Sequence, residues 1–339
     1  MTSIKTFVKQ SILQAVETLG FNALYRYINR RKLLCLCYHS VISDDAPLDN
    51  RTNIAVTVSQ FDAQMQELRK HWNPIGYQSI TQLTADEPLP DNAVFISFDD
   101  GWRNNLTLAA PILAKYGIPA TVFLTTDYIG TTGQLFWALE ILERLIAMQD
   151  KPLPIGGQSF PLGPPESPLR TRIAEVLLSR IKQFPVPDRQ TVLTQMREIT
   201  NLNLSPKWKQ ELYEFLSWNE VRELKRQGWT IGCHTKTHPI LSMLSAEEQR
   251  TELQEAKAKI EAELGETCST LAYPNGGADD YNEETVRIAA ELGFQTAFTL
   301  ENKRNDLPLN DLLRIHRICI TRDLTLNSFR AIISGIRGK

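Results

Sequence analysis

The stretch Ala93-Val94-Phe95-Ile96-Ser97-Phe98-Asp99-Asp100-Gly101 decides how this chain is read. An apolar, β-prone run ends abruptly in two adjacent carboxylates and a glycine. The run predicts a strand buried on both faces. Asp99 and Asp100 then sit at its C-terminal end, where α/β folds gather their chemistry. A solvated turn would also place two acids after a strand. What the rest of the chain brings to the same rim decides between the two.

Upstream, Leu33 to Tyr38 reads as a strand that delivers His39, and Ser59 is placed as the cap of a helix carrying Phe61, Met65 and Leu68 on one face. Downstream, a helix runs to Lys115 or Tyr116, with Pro111 kinking it or marking its true first turn, and Gly117 stops it. Ile118 to Leu124 is another buried strand. Alternation then lapses between about 131 and 217. That region holds an apolar helix near Phe136 to Met148, a loop rich in Pro and Gly, and two polar helical stretches. It reads as a mainly helical insertion. Alternation resumes at the capping box Ser217-Trp218-Asn219-Glu220. The strand Trp229 to Cys233 delivers His234, and Ser269 to Ala272 delivers Tyr273. Further strands are placed at Phe294 to Thr299 and Ile315 to Ile320. About seven or eight strands separated by helices favour a parallel sheet, as an open sheet or a (β/α) barrel.

The chain has 339 residues, 42% of them hydrophobic, and a net charge of −2. That size suits one large α/β domain or two ordinary ones, and the charge argues against a nucleic-acid binder. Neither glycine-rich phosphate fingerprint is present. Five cysteines, four of them in predicted strands, read as small core residues of a protein kept in a reducing, cytoplasmic compartment. Residues 1–32 form a basic, amphipathic helical region broken near Gly20. It suits a helix packed on the domain or a peripheral contact with an anionic membrane face at the inner membrane.

His234-Thr235-Lys236-Thr237-His238 is the second signal. Two His four apart meet if the segment is helical or tightly turned. Neutral imidazoles so paired, with one carboxylate from Asp99 or Asp100, make a three-ligand metal site with open positions.

Taken together, these motifs resemble those of the polysaccharide deacetylases, also called NodB-homology or carbohydrate esterase family 4 proteins. Ser97-Phe98-Asp99-Asp100-Gly101 is similar to the family's first motif, His234 to His238 to its second, and Tyr273-Pro274-Asn275-Gly276 to a variant of its third. The resemblance spans residues 33–339 outside the insertion. It implies a distorted (β/α) barrel and removal of N-acetyl groups from an amino sugar of a cell-surface polysaccharide or its precursor. By the same resemblance Asp100, His234 and His238 hold a divalent metal, and Asp99 is the general base. Zn2+ is the expected ion, with Co2+, Ni2+ or Fe2+ also suited. The backbone N–H of Tyr273 is expected to hold the oxyanion. His39 is the favoured general acid, with His316 as its rival. Ala272 stands where many members carry an Arg that orients the base, so Arg317, or else Arg314, is expected to supply that charge. Phe136 and Trp137 are expected to border the cleft. An inactive metal- or carbohydrate-binding barrel, or a hydrolase of a non-sugar amide, fits the same residues.

Overall fold

The structure, a computed structural model, describes residues 18–46, 54–83, 88–149, 153–155, 158–165, 167–204 and 206–336. The first 17 residues of the expected N-terminal helical region lie outside them. Its described part is the helix Phe21–Ile28, opened by Gly20 and exposing Leu24, Tyr27 and Ile28.

In chain order the strands are β1 (Leu34–Tyr38), β2 (Ser40–Ile42), β3 (Ala55–Thr57), β4 (Asn73–Ile75), β5 (Ala93–Phe98), β6 (Thr121–Leu124), β7 (Leu153–Ile155), β8 (Gln158–Phe160), β9 (Thr230–Cys233), β10 (Thr270–Ala272), β11 (Thr296–Phe298) and β12 (Ile318–Cys319). The main sheet is parallel and runs β11-β10-β9-β6-β5-β1-β12. β4 pairs with the first half of β5 and β6 with its last residues. The two ends of the sheet nearly meet on one segment. Ile315 bridges Phe298 of β11, and three residues later Ile318 lies opposite Leu36 of β1. The sheet therefore curls into the expected distorted barrel.

Both faces of these strands are buried, and alternation assigns each residue a side. Leu34, Leu36, Tyr38, Val94, Ile96, Phe98, Val122 and Leu124 pack outward into the core shared with the helices. Leu33, Cys35, Ala93, Phe95, Phe123, Ala272 and Phe298 pack together inside the curl. The Phe95 and Phe298 rings stack there at 5.1 Å. Gly232 faces this interior, where an added Cβ would lie 2.5 Å from the Phe123 ring.

Local signals mostly act where the sequence places them. Ser217 with Glu220 and Ser245 with Glu248 form reciprocal capping boxes. Pro111 does mark a first turn: a π-helical stretch, Asn105–Ala109, precedes the α-helix Ala110–Tyr116, and Gly117 ends it with φ 61°. The cap near Ser59 falls earlier. Thr57 accepts from the Gln60 N–H and opens the helix Val58–His71, because Gln60 can close a capping box and Asp44 already engages the Ser59 hydroxyl.

The insertion is mainly helical, with helices Trp137–Ala147, Pro168–Ile181, Val186–Ile199 and Lys207–Tyr213. It also holds the antiparallel hairpin β7–β8, inside what reads as a Pro/Gly-rich loop. The first three helices bury their own cluster, including Ile141, Leu145, Leu177, Ile181 and Met196.

Candidate active site

The two acids, His39 and the His pair follow the C-terminal ends of β5, β1 and β9, while Arg317 lies just before β12. Asp99 keeps pairing after β5, its N–H bonded to the Tyr38 carbonyl. It shares the inward-facing register with Ser97. Asp100 breaks the ladder at φ 78° and Gly101 follows at φ 85°. This double left-handed step brings a second carboxylate to the same rim as the first. Left-handed backbone is costly for Asp and tends to survive where function holds it. An added Cβ on Gly101 would lie 2.8 Å from Ile129 Cδ1 and 2.9 Å from Leu124 Cδ2.

The two imidazoles meet through a turn. Thr235 at φ 67° and His238 at φ 61° fold the segment back. Three groups clamp it from outside. The Thr126 and Asp127 N–H groups donate to the carbonyls of Thr235 and Lys236. The Glu252 carboxylate accepts from the Lys236 N–H, the Thr237 N–H and the Thr237 hydroxyl.

The resulting trio converges on one atom. Asp100 Oδ1 lies 3.5 Å from His234 Nε2 and 3.4 Å from His238 Nε2. It is buried without a hydrogen-bond partner. Such an orphan in an apolar setting costs free energy unless something fills it. His234 Nδ1 sits 2.8 Å from the Ala272 carbonyl, which fixes its proton there and leaves Nε2 bare. The other Asp100 oxygen accepts from the Trp102 indole N–H at 2.9 Å. The ligating atoms of Asp100, His234 and His238 all lie within 4.8 Å of one another. A bare carboxylate oxygen facing two bare imidazole nitrogens fits a divalent cation of the Zn2+ type.

The two carboxylates are electrostatically split. Burial pushes Asp99 up, but the Arg317 guanidinium overrides it and holds the acid well below the usual carboxylate range. That contact is bidentate, at 2.6 and 2.8 Å. Asp100 has no such cation. Burial, and then the neighbouring Asp99 charge, push it well above its ordinary value. Burial likewise lowers His234 and His238, so both stay neutral. Neutral His and a carboxylate that resists ionisation unless a cation arrives make up a metal-ready donor set.

Arg317 is wholly buried. It also donates to the Ser97 hydroxyl and, through Nε, to the Thr299 carbonyl. It is thus the cation held against Asp99, where Ala272 brings none. Arg314 lies outside the barrel, paired with Asp311 and Glu283.

His39 comes to the site. Its ring, the Cys37 thiol and the Asp99 carboxylate form a second close group. Burial lowers its pKa to about 4, against the opposing pull of Asp99. His316 does not reach the site. Its Nδ1 lies 3.0 Å from the Thr299 hydroxyl and 3.7 Å from Glu301.

Tyr273 is the residue the structure places differently from its expected role. Its N–H donates to the Phe298 carbonyl, because β10 runs one residue further along β11 than its bounds suggest. Its hydroxyl bonds the Leu313 carbonyl and its ring stacks on Tyr281. This N–H is thus spent in the sheet and does not face the rim.

The insertion reaches the site as expected. The Phe136 ring stacks on His238 at 4.6 Å, and the Trp137 indole donates to the His238 carbonyl. Trp102, Cys37 and Glu252 escape a sequence reading. An indole two residues past the acids was the available signal for Trp102. Glu252 had none, since it looks like any solvated helix charge.

This curled parallel sheet with an Asp-His-His rim defines the class, and comparison with known proteins names it. The polysaccharide deacetylase family profile matches residues 86–167 and 168–297, more than half of the chain, and the chain belongs to that family. The Bacillus subtilis protein YxkH is 22% identical over 312 residues, 90% of this chain and 77% of its own. A poly-beta-1,6-N-acetyl-D-glucosamine N-deacetylase of Staphylococcus epidermidis is 32% identical over 126 residues, 34% of this chain and 43% of that enzyme. The chain therefore spans less than half of that relative. Among solved structures, the Streptococcus pyogenes deacetylase PplD matches with a TM-score of 0.56 at 21% identity, over 89% of this chain and 98% of its own. IcaB from Ammonifex degensii gives 0.56 at 18% identity, over 90% and 96%. These likenesses show the shared fold.

Proposed function

We propose that this protein is a metal-dependent N-deacetylase acting on an N-acetylated amino sugar of a cell-surface polysaccharide or its precursor. The observation that carries this reading is the orphaned Asp100 Oδ1 facing two imidazole nitrogens, beside an Asp99 held ionised by Arg317. Asp100, His234 and His238 would hold the metal, Zn2+ being best suited, and when bound it would polarise the amide carbonyl and acidify water.

The chain's own residues then do the following. Asp99 accepts the proton of the attacking water at its carboxylate. Arg317 keeps that carboxylate ionised and fixes its plane. As the C–N bond breaks, the departing nitrogen takes a proton from His39, which Asp99 can reload. Burial keeps His39 neutral at rest, so it first receives the proton that Asp99 took from water and then passes it to the departing nitrogen. Acetate and a free amine leave. Phe136, stacked on His238, shields one side of the trio from water.

Acetate release by metal-reconstituted protein, measured over a panel of acetylated glycans, tests the reading. Stoichiometric metal binding without acetate from any of them would sink it. The five buried, free thiols support a reducing compartment. Exposed Leu24, Tyr27 and Ile28 beside Arg26, Arg30 and Arg31 support a peripheral contact with anionic lipid. Cell fractionation checks both, and recovery from a periplasmic fraction would overturn the first.

A further inference from the structure

Beside the His motif lies a cavity of about 690 Å³ between the insertion and the helix Ala246–Leu264. Thr237 and Pro239, which flank His238, form part of its wall. Trp137 and Arg189 of the insertion form another part. The Arg189 guanidinium lies 4.5 Å above the Trp137 ring. Arg189 is only 6% exposed, and its Nη1 is shut off from solvent without a hydrogen-bond partner. Among the described residues no carboxylate pairs with it.

Apart from Glu247, which also lines the wall, the other charges here are already engaged. Arg197 is paired with Glu140, and Lys236 with Glu255. Glu252 is taken up by the His-motif turn, and Glu248 by its cap at Ser245. Arg189 therefore stands apart as a desolvated cation whose stacking on an indole replaces only part of its lost hydration. A second insertion cation stands nearby. Lys182 donates to the neutral amide oxygen of Asn275 at 2.8 Å, with Asp280 as the acid facing it.

We propose that this cavity is a substrate subsite for an oxyanion carried by the glycan, bound by Arg189, with the Trp137 ring as a platform for the adjoining sugar. The oxyanion is a carboxylate on a neighbouring sugar or the phosphodiester of a lipid- or nucleotide-linked precursor. Arginine meets either with paired N–H donors. The subsite rests on the deacetylase reading for its role in turnover, but not for its binding. Trp137 links the two places, since its indole N–H bonds the carbonyl of the ligand His238.

The test uses three N-acetylated oligosaccharides of equal length: neutral, bearing one carboxylate, and bearing one phosphodiester. Acetate release is measured with the metal-loaded wild type, Arg189→Gln and Arg189→Lys. The wild type should prefer one anionic substrate, and which one identifies the source of the charge. In Arg189→Gln the ratio of anionic to neutral kcat/KM should fall about 10- to 100-fold, the worth of one charge-assisted contact. Arg189→Lys should recover part of it. Equal turnover of all three by the wild type, or an unchanged ratio in Arg189→Gln, overturns the subsite. If no substrate yields acetate, the deacetylase reading fails by itself. Tryptophan-fluorescence titration with the same oligosaccharides then decides the subsite: selective anionic binding lost in Arg189→Gln supports it, and unselective binding or none overturns it.

Discussion

The barrel and the insertion handle buried charge in different ways. In the barrel interior, Arg317 and Asp99 face each other across strands, both fully buried and bidentate. The strand alternation that points Ser97 and Asp99 inward also fixes where the guanidinium must come from. The insertion has no such lattice. There, Glu140 holds Arg144 and Arg197, Glu143 holds Lys209 and the Tyr213 hydroxyl, and Arg170 donates to the carbonyls of Gly163, Leu145 and Met148. Each polar anchor ties one helix to another. The barrel supplies fixed chemistry, while the insertion supplies a wall whose charge pattern can change without disturbing the rim.

The comparison breaks most visibly at Asp99. Asp99→Asn should lower kcat for acetate release by about 100- to 10,000-fold, the usual weight of a general base, while metal binding persists. Steady-state kinetics beside metal analysis checks this. Next comes Arg317→Met. Removing one partner of a buried pair should cost about 3–5 kcal/mol, read from denaturant unfolding. It should also let the Asp99 pKa rise, since the largest opposition to burial is then gone. The base would stay protonated to higher pH, so the acid limb of the kcat/KM profile should shift upward. A limb that stays in place would show that Arg317 does not set the ionisation of Asp99.

Smaller effects compare the two regions directly. Trp102→Phe removes the barrel's N–H donor to Asp100, and Phe136→Ala removes the insertion's stack on His238. Supporting contacts of this kind are worth about 10- to 100-fold in metal affinity. Trp102→Phe should fall in that range and Phe136→Ala below it, measured by competition with a chelating dye. The reverse order would make the insertion part of the metal site. Smallest is Ser217→Ala, where the insertion rejoins the barrel. Loss of this capping box should cost about 1 kcal/mol in thermal unfolding and leave acetate release as it was.

Much of this was legible in the residues because it depends on local rules. Apolar runs, capping boxes and glycine stops are set by neighbours in the chain. They were enough to place the strands along the chain and to bring Asp99, Asp100, His234 and His238 to one rim, and the family resemblance added His39. Other features depend on distant partners. Arg317 and Arg314 look alike in sequence, and only closure of the sheet sends one inward and the other to Asp311 and Glu283. His39 and His316 are separated in the same way, by which strand end faces the cavity. Tyr273 was misassigned because the length of a ladder is decided by its neighbour, and the Phe298 carbonyl takes its N–H. The hairpin β7–β8 was missed because both strands are short and β7 contains Pro154.

The sequence by itself determined the alternation of strands and helices and the pairing of adjacent acids with two His four apart, because these follow from spacing along one chain, and the motifs so placed carried the family resemblance. Only the tertiary structure shows why the acid that faces the imidazoles is Asp100, as the resemblance implies. Asp99 and Asp100 are chemically identical neighbours. The left-handed turn at Asp100 and the arrival of Arg317 at Asp99, 218 positions away, give them different surroundings. Charge state in a buried site is set by what folds against it, and that partner cannot be read from the adjacent residues.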